Sequence, residues 1–567
     1  MRKNRLIAGT ALVRSILGVA IAFGAILPGS AARAQVLSCD VPTIQSVAPG
    51  DTTIVSAEIK SSPVVYCDVK GAIATSTAGQ NNSVIFELGL PDTWNGALLF
   101  LGNGGFAGSL QAVDNGGFAF NLNFDWAVTT TDTGHESSAG FYGFLDGSFG
   151  LIGGQPNLAA DEDSAYRAVH VSTAVSQVIT TAYYTPPYPI RFASYFYGCS
   201  TGGRQALVEA QKYPQDFIGI VAGDPGIGDV MAGFNWNAQA LLKGPAGYLS
   251  PSDIQLVDQA VMAKCDGLDG VVDGLIQDPR KCHFDPSSLM CAASQTKNCL
   301  NNQQVKTLRA IFSGAVTNGN QPLYPGYPVS DLGGDDGWTQ WITGTSTPQF
   351  GVAEPWGPAP ASFGAGPYQF SFQDQYLKYF AFDDPNYNSF NFDFRHQVDV
   401  NALTAAVNGF QSSGEDTDLS GFFNGGGKLI IFHGWSDPAV APQATFDYYT
   451  AVANRLYGGD FSQPQDHARL FMAPGLHHCG GGPGPNAFDA LSPVIFWLPF
   501  NGGVTPNQII ANHYVDNDQT KPIDRSMPLC PYPQVASYVS GPVNQAASWT
   551  CANPAAAASS HHTRHHH

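Results

Sequence analysis

The chain has little charge, and positive charge is the scarcer kind. Of its 567 residues 13% are charged, with 26 Lys and Arg against 45 Asp and Glu, and the formal net charge is −19. An acidic surface repels nucleic acid and anionic membranes, so we expect neither as a partner. Apolar residues still make up 44% of the chain, which indicates a packed globular protein and not a disordered one.

Long hydrophobic runs are also missing. The run at Ser15–Leu27 has 13 residues, whereas a helix that spans a bilayer needs about 20. Basic residues at positions 2, 3 and 5 precede this run and Ala32-Arg33-Ala34 follows it, which is the order of a secretory signal with its cleavage site. We therefore predict that residues 1–34 are a signal peptide and that the mature protein is soluble and either secreted or periplasmic.

The cysteines lack the spacing of a zinc site. The chain has ten cysteines but no CxxC motif, and an even number in a secreted chain predicts disulfides. Eight of them fall into pairs that are close in sequence, which leaves two cysteines, 280 residues apart, for a fifth bond. The predicted pairs are Cys39 with Cys67, Cys265 with Cys282, Cys291 with Cys299, Cys530 with Cys551, and Cys199 with Cys479.

Strand-like and helical patterns alternate in the first part of the chain, which predicts an α/β fold with a parallel sheet covered on both faces. Strand character returns only at 428–432 and 469–472, after a long interval rich in aromatic residues. We predict a catalytic domain from residues 35–224 and 426–567 and an inserted lid domain at 225–425. The early elements are strands at 83–89, 97–101 and 126–131, a helix at 161–183, a strand at 190–197, a helix at 202–213 and a strand at 218–222.

A G-x-S-x-G motif, Gly198-Cys199-Ser200-Thr201-Gly202, lies between a predicted strand and a predicted helix. That is the context of a nucleophile elbow, in which the serine hydroxyl projects above the sheet. The backbone N–H of Thr201, at the start of the helix, can bind a developing oxyanion. A second oxyanion donor is expected from the loop after an early strand, where Gly104 and Gly105 are equal candidates.

A nucleophilic serine needs a base, and in this fold the order along the chain is serine, acid, histidine. Asp437 follows the strand at 428–432 and is the predicted acid. His477 and His478 follow the next strand, and either is a candidate base. The predicted fifth disulfide favours His478, because it joins the residue before Ser200 to the residue after His478 and a disulfide holds two Cα atoms about 4.4–6.8 Å apart.

An acidic loop in the insertion predicts a calcium site. Asp266, Asp269 and Asp273 place three carboxylates within eight residues, and such crowding repels itself unless a cation lies among the oxygens. Hard oxygen ligands favour calcium, with the backbone carbonyls of Val271 and Leu275 completing the candidate set. Its place beside a predicted disulfide in the insertion predicts a structural role.

Together these motifs resemble the tannase and feruloyl esterase family, which also contains the mono(2-hydroxyethyl) terephthalate hydrolases. The resemblance rests on the elbow at 198–203, on Asp437 after His433-Gly434 and on His478-Cys479. It implies an α/β-hydrolase core, a disulfide beside the triad of Ser200, Asp437 and His478, and a lid with a structural calcium loop. It also implies that the substrate is a small ester of an aromatic carboxylic acid.

Arginine is scarce in the insertion, which bears on the acyl group. The terephthalate hydrolases are expected to hold the free carboxylate of the substrate with a lid arginine, but 225–425 contains only Arg280, Arg309 and Arg395, all outside the aromatic stretch at 338–380. We therefore expect neutral phenolic acyl groups such as ferulate or gallate. The alternatives are a terephthalate monoester hydrolase, a serine peptidase and a non-catalytic binding protein on the same scaffold. The aromatic candidates for acyl contact are Trp338, Trp341, Phe370, Phe372, Tyr376 and Phe380.

Overall fold

The structure is a computed structural model that describes residues 37–184, 193–334, 336–409, 413–462 and 464–553. The predicted signal peptide and the histidine-rich end of the chain, which is either an expression tag or a natural metal-binding tail, lie outside the described residues. In the described part of the chain, no helix combines the length and the apolar character that crossing a membrane requires.

The described strands are β1 (Thr52–Lys60), β2 (Tyr66–Thr77), β3 (Gln80–Pro91), β4 (Ala97–Leu101), β5 (Ala127–Thr131), β6 (Leu151–Ile152), β7 (Gln155–Pro156), β8 (Ala193–Cys199), β9 (Gly219–Gly223), β10 (Ala315–Val316), β11 (Pro322–Tyr324), β12 (Lys428–Gly434), β13 (Ala468–Ala473), β14 (Ile509–Tyr514), β15 (Ile523–Leu529), β16 (Val535–Tyr538) and β17 (Trp549–Ala552).

The described α-helices are α1 (Val41–Val47), α2 (Gln111–Asp114), α3 (Gly117–Leu122), α4 (Leu158–Glu162), α5 (Ala168–Tyr184), α6 (Thr201–Lys212), α7 (Val230–Leu242), α8 (Pro251–Cys265), α9 (Asn302–Ser313), α10 (Tyr368–Tyr376), α11 (Gln397–Gly409), α12 (Ser420–Asn424), α13 (Pro442–Tyr457) and α14 (Leu491–Trp497). A π-helical turn at Asp163–Arg167 joins α4 to α5, so the helix predicted at 161–183 is one nearly continuous rod.

Nine strands form the central sheet, in the order β1-β2-β3-β5-β4-β8-β9-β12-β13. The part from β5 to β13 is parallel, as the alternation of strand and helix predicts. The other part of the sheet is antiparallel: β1, β2 and β3 pair antiparallel and β3 is antiparallel to β5. At this edge β1 faces solvent on one side and alternates buried with exposed residues. Its sequence therefore predicts a strand less clearly than the fully buried, apolar run of β4 does.

The ends of three parallel strands bring distant residues together. Cys199 at the end of β8 pairs with Gly223 at the end of β9, and Gly223 pairs with Phe432 in β12. In parallel sheets the loops beyond the carboxyl ends of the strands form the usual ligand-binding crevice. The segments that follow β8, β9 and β12 therefore meet at one edge, although they lie far apart in sequence.

The residues between β9 and β12 form a helical insertion, built from α7 to α12 and the small β10–β11 hairpin. It has its own apolar core, in which Val257, Leu308 and Trp338 are buried. The same core extends to Ala439 and Ala441 in the loop after β12. The insertion is therefore packed against a loop that follows the sheet.

Five disulfides join the cysteines in the pairs expected from their spacing. Four of them close loops of 8 to 28 residues, whereas the Cys199–Cys479 bond spans 280 residues. Its Cα atoms lie 5.9 Å apart, and it ties the end of β8 to the loop after β13.

Candidate active site

Ser200 lies on a strained turn between β8 and α6. Its backbone has φ 64° and ψ −124°, a region that non-glycine residues rarely adopt and that is typical of functional turns. The turn requires glycine on both sides, because a Cβ at Gly198 would lie 2.5 Å from the carbonyl oxygen of Gly202 and one at Gly203 would lie 2.2 Å from that of Gly223. The geometry is that of a nucleophile elbow.

Asp437 is buried in the loop after β12 and its carboxylate is surrounded by donors. Oδ2 lies 2.8 Å from Nδ1 of His478 and 3.1 Å from Nε2 of His433, while Oδ1 accepts the backbone N–H groups of Ala439 and Val440. Burial alone would raise the pKa of Asp437, but the charges and hydrogen bonds of the two histidines outweigh it and lower the pKa. The carboxylate is therefore ionised, and it fixes the Nδ1–H tautomer of His478.

His478 is positioned as a base. Burial on its own would lower its pKa, but attraction and a hydrogen bond from Asp437, followed by the charge of Asp224, raise it. Among the described residues no group hydrogen-bonds to its Nε2, which leaves this nitrogen available as an acceptor. Between the described side chains of Ser200 and His478 there is no hydrogen bond, and in free enzymes such bonds are often long and tighten when substrate binds.

His477 has a different environment from His478. Its Nε2 lies 2.8 Å from Oδ1 of Asp331 and its Nδ1 lies 3.1 Å from Oδ1 of Asp336, both in the insertion. Burial opposes protonation, but these two carboxylates raise the pKa of His477 to about 10. Because both ring nitrogens face carboxylates, His477 is suited to fastening the loop to the insertion, and His478 is the better placed base.

Asp224, which directly follows β9, links the loops that hold Asp437 and His478. Its Oδ1 accepts the N–H of Gly434 at 2.8 Å and its Oδ2 accepts the N–H of Cys479 at 2.7 Å. The carboxylate is fully buried and lies 3.4 Å from Sγ of Cys199. Burial raises its pKa to about 6, against the attraction of His433. This role of Asp224 was not predicted from the sequence, although its place at the carboxyl end of a central strand was a usable signal.

We expect Asp224→Asn to lower kcat/KM by about 10²-fold, because one amide cannot accept both N–H groups and small displacements of catalytic groups cost about that much. The loss of a charge that raises the pKa of His478 lowers that pKa. The acid limb of the kcat/KM–pH profile therefore moves to lower pH. Asp447→Asn, at an exposed position of α13, is the control. A profile that did not move would show that Asp224 has no electrostatic effect on the base.

The loop after β4 holds the two glycines predicted as oxyanion donors, and the hydrogen bonds of their N–H groups differ. The N–H of Gly104 donates to Oε1 of Gln111 at 2.6 Å, so it is already satisfied. Gly105 has φ 59° and packs so closely on the carbonyl oxygen of Phe144 that a Cβ would lie 2.4 Å from it. In the described structure the N–H groups of Gly105 and Thr201 have no acceptor, which favours these two donors over Gly104.

Aromatic side chains of the insertion pack against His478 and against the loop after β4. The ring of Trp341 lies edge-on to His478, with 4.9 Å between centroids. Phe372 and Phe380 pack on Phe106, the residue after the oxyanion loop glycines, at 5.3 and 5.7 Å. These contacts select three of the six predicted aromatic candidates. The others are buried in the core of the insertion and are Trp338, Phe370 and Tyr376.

The acidic loop follows α8 and packs on the C-terminal hairpins. Asp266 accepts the N–H groups of Asp273 and Gly274, and Oδ2 of Asp273 lies 3.1 Å from Arg525 of β15. Val271 and Leu275 are buried against β15 to β17, with their N–H groups donated to the side chains of Asp269 and Asp273. The loop is thus a folded element in which Asp266 and Asp273 are partly buried and Asp269 is exposed.

The chemistry of this loop fits calcium. Burial, with a smaller contribution from neighbouring carboxylates, raises the pKa values of Asp269 and Asp273, and a divalent cation would relieve that repulsion. The donors are all oxygen, as calcium prefers. The three carboxylates are not among the described groups whose ligand atoms lie within 4.8 Å of one another, so a bound ion would draw them together.

Comparison with known proteins gives consistent matches along the chain. The sequence model of a family described as tannase and feruloyl esterase matches residues 67–552. The chain is 31% identical to mono(2-hydroxyethyl) terephthalate hydrolase of Piscinibacter sakaiensis, over 86% of this chain and 85% of that one. It is 28% identical to a probable feruloyl esterase B-2 of Aspergillus terreus, over 89% and 91% of the two chains.

Solved structures agree with the fold. The crystal structure of feruloyl esterase B from Aspergillus oryzae superposes with a TM-score of 0.73 and 25% identity, over 90% of this chain and 98% of that one. Tannin acyl hydrolase from Aspergillus niger superposes with a TM-score of 0.70 at 19% identity, over 91% and 96%, which bears on the fold alone. The predicted α/β-hydrolase fold is confirmed.

Proposed function

This chain belongs to the tannase and feruloyl esterase family and is a carboxylic ester hydrolase, and from that premise we propose that it hydrolyses esters of neutral phenolic acids such as ferulate or gallate. In this proposal Ser200 is the nucleophile, His478 the general base and Asp437 the acid that orients it. The observation that carries the proposal is the hydrogen bond between Asp437 and His478 in a loop joined by a disulfide to the serine turn. We further propose that the protein acts outside the cytoplasm, in keeping with its five disulfides.

The proposed reaction is a two-step acyl transfer. His478 Nε2 takes the proton of Ser200 as its oxygen attacks the ester carbonyl, and the N–H groups of Thr201 and Gly105 bind the oxyanion. The C–O bond to the alcohol then breaks, and His478 gives the proton to the leaving alcohol. In the second step a water molecule loses its proton to His478 and its oxygen attacks the acyl-enzyme carbonyl. The C–O bond to Ser200 then breaks, His478 returns the proton to Ser200 Oγ, and the acid is released.

The preference for a neutral acyl group rests on the carboxylate pairing of the arginines of the insertion and of Lys378. Each of its three arginines is paired with a nearby carboxylate at 2.7–2.8 Å, and Lys378 after α10 lies 2.7 Å from Asp374 and 3.2 Å from Glu354. The side chain that contacts the proposed base is instead the uncharged ring of Trp341. An aromatic acyl group can pack against such a ring without a compensating charge. The arginine pairs are Arg280 with Asp278, Arg309 with Asp285 and Arg395 with Asp393.

The test is product release from methyl ferulate, methyl gallate and mono(2-hydroxyethyl) terephthalate, measured by chromatography. We expect kcat/KM for ferulate or gallate to exceed that for the terephthalate monoester by at least about tenfold, the low end of what one pocket difference gives. Faster turnover of the terephthalate, as the name of one relative suggests, would overturn the acyl assignment. Cleavage of peptides but not of the three esters would indicate a peptidase.

We also propose that the acidic loop binds a structural calcium ion through Asp266, Asp269 and Asp273, with the carbonyls of Val271 and Leu275. The ion's charge would neutralise the loop, and it takes no part in the reaction. By holding this loop in place, the ion would stabilise its packing on the C-terminal hairpins, which is made through Leu275 and Val271.

Calcium is expected to raise the melting temperature of the metal-free protein by about 2–5 °C at saturating concentration, because a ligand that binds only the folded state stabilises it. Asp269→Asn should abolish the shift and Asp278→Asn, three residues beyond the loop, should retain it. Differential scanning fluorimetry with and without added calcium measures both. An unchanged melting temperature in the wild type would contradict a calcium site here.

A further inference from the structure

A second cluster of metal-ligating side chains lies away from the active site, between two helices on the sheet. His170 is on α5, Glu209 is on α6, and Asp216 lies in the turn between α6 and β9. Each offers one ligand atom, and these atoms all lie within 4.8 Å of one another. Neither the triad nor the acidic loop uses any of the three.

Two other described clusters meet the same distance limit but carry no site. In one, Cys199 and Cys479 are joined in a disulfide and have no thiolate to offer. In the other, Asp224, His433 and Asp437 belong to the hydrogen bonds that position the proposed triad. The cluster of His170, Glu209 and Asp216 has no such role.

Glu209 supplies an independent observation that points to a ligand. Its side chain is only 1% exposed, and its Oε2 is buried with no hydrogen-bond partner in the described structure. Buried polar atoms are nearly always paired, so each exception needs an explanation. Burial, with the charge of Asp216, raises the pKa of Glu209 well above its ordinary value, and a cation bound between the two carboxylates would reverse that effect.

His170 is held in place and remains accessible from solvent. Its ring stacks on Tyr213, with 3.7 Å between centroids and 5° between planes, and its Nδ1 lies 2.6 Å from Oδ2 of Asp216. The side chain is 33% exposed, which leaves a route for an ion. Gln177 donates to the backbone carbonyl of Asp216 at 2.9 Å and fixes the turn.

We propose that His170, Glu209 and Asp216 bind a divalent transition metal ion, preferably zinc. Water is the fourth ligand, on the exposed side. One imidazole and two carboxylates are accepted zinc ligands, at metal–ligand distances of about 2.0–2.2 Å. Tetrahedral ligands at those distances lie about 3.3 Å apart, so His170 and Asp216 need to separate by less than an ångström. Zinc binds only deprotonated ligand atoms, so affinity rises with pH.

The test compares zinc and cobalt binding by metal-free full-length protein and by Glu209→Gln, which keeps the shape of the side chain and removes its charge. We expect zinc to raise the melting temperature of the wild type by at least about 2 °C and not that of the variant. Glu209→Gln should bind one equivalent of cobalt fewer than the wild type. The visible absorption of tetrahedral cobalt, expected in the wild type, should be missing from the variant. His170→Gln should behave in the same way, which covers failure of the first variant to fold.

Asp269→Asn is the matched control, because it alters the proposed calcium loop. It should keep the response to zinc, while Glu209→Gln keeps the response to calcium. Any cobalt taken up by the histidine-rich end of the chain is common to all variants and cancels in the comparison. Equal metal uptake and an equal zinc shift in wild type, Glu209→Gln and His170→Gln would assign binding to that tail and overturn the proposal.

Discussion

Replacing Ser200 with alanine is expected to lower kcat for the preferred aromatic ester by about 10⁶-fold, the loss seen when the nucleophile of a serine hydrolase is removed. The oxyanion donors remain in this variant, so a residual rate about 10³–10⁴ above that in water should persist. Alanine fits the turn as well as serine does, because the strain at φ 64° depends on Cβ and not on the hydroxyl. The loss therefore reports chemistry and not folding.

The measurement is steady-state hydrolysis of methyl ferulate or methyl gallate, with labelling by a fluorophosphonate probe as a second readout. Ser252→Ala, at an exposed position on the first turn of α8, is the control and should keep full activity and labelling. Labelling of the Ser200→Ala variant, or a rate within tenfold of the wild type, would place the nucleophile elsewhere.

Local patterns were enough to predict the parts of the fold that lie on buried, regular elements. The strand predicted at 97–101 is β4 to the residue, and the elbow lies between β8 and α6 as its motif predicts. β4 is buried along its whole length, and the turn between β8 and α6 needs glycine at 198 and 203, where a Cβ would meet backbone atoms. In such places one chemical requirement decides the structure, and it is visible within a few residues.

The missed features depend on contacts between distant residues. Asp224 reaches Gly434 across 210 residues and Cys479 across 255, and no local spacing reports such pairs. His433 was noted only as part of a motif, yet its Nε2 shares the carboxylate of Asp437 with His478. The helices of the insertion were not predicted, although α7, α8, α9 and α11 are 12 to 15 residues long. Its contact with His478 through Trp341 joins segments that are far apart in the chain, so it could not be assigned either.

Asp437→Asn is expected to lower kcat by about 10⁴-fold with little change in KM, as it does where an aspartate orients the catalytic histidine. An amide can turn its NH₂ group toward His478, which then presents the wrong tautomer to Ser200. The two backbone N–H groups on Oδ1 favour an orientation that places NH₂ at the Oδ2 position. That position faces both His478 and His433, so the disruption reaches both rings.

The pH dependence separates this effect from simple misfolding. Asp437 contributes most to raising the pKa of His478, so its neutralisation lowers that pKa. The imidazole is then neutral at lower pH, and the acid limb of the kcat/KM–pH profile shifts downward in the residual activity. The control is again Asp447→Asn, which should leave the acid limb in place. Asp224→Asn should shift the acid limb less than Asp437→Asn does.

Asp224→Asn and Asp437→Asn should move the acid limb in the same direction, because both carboxylates raise the pKa of His478. The two variants should differ in kcat, because of these two carboxylates only that of Asp437 hydrogen-bonds to the imidazole of His478. Equal losses of kcat in the two variants would mean that loop position, and not the tautomer of His478, limits the rate. A 10⁴-fold loss confined to Asp437→Asn would assign to Asp437 the orientation of the base and to Asp224 the spacing of the loops that hold it.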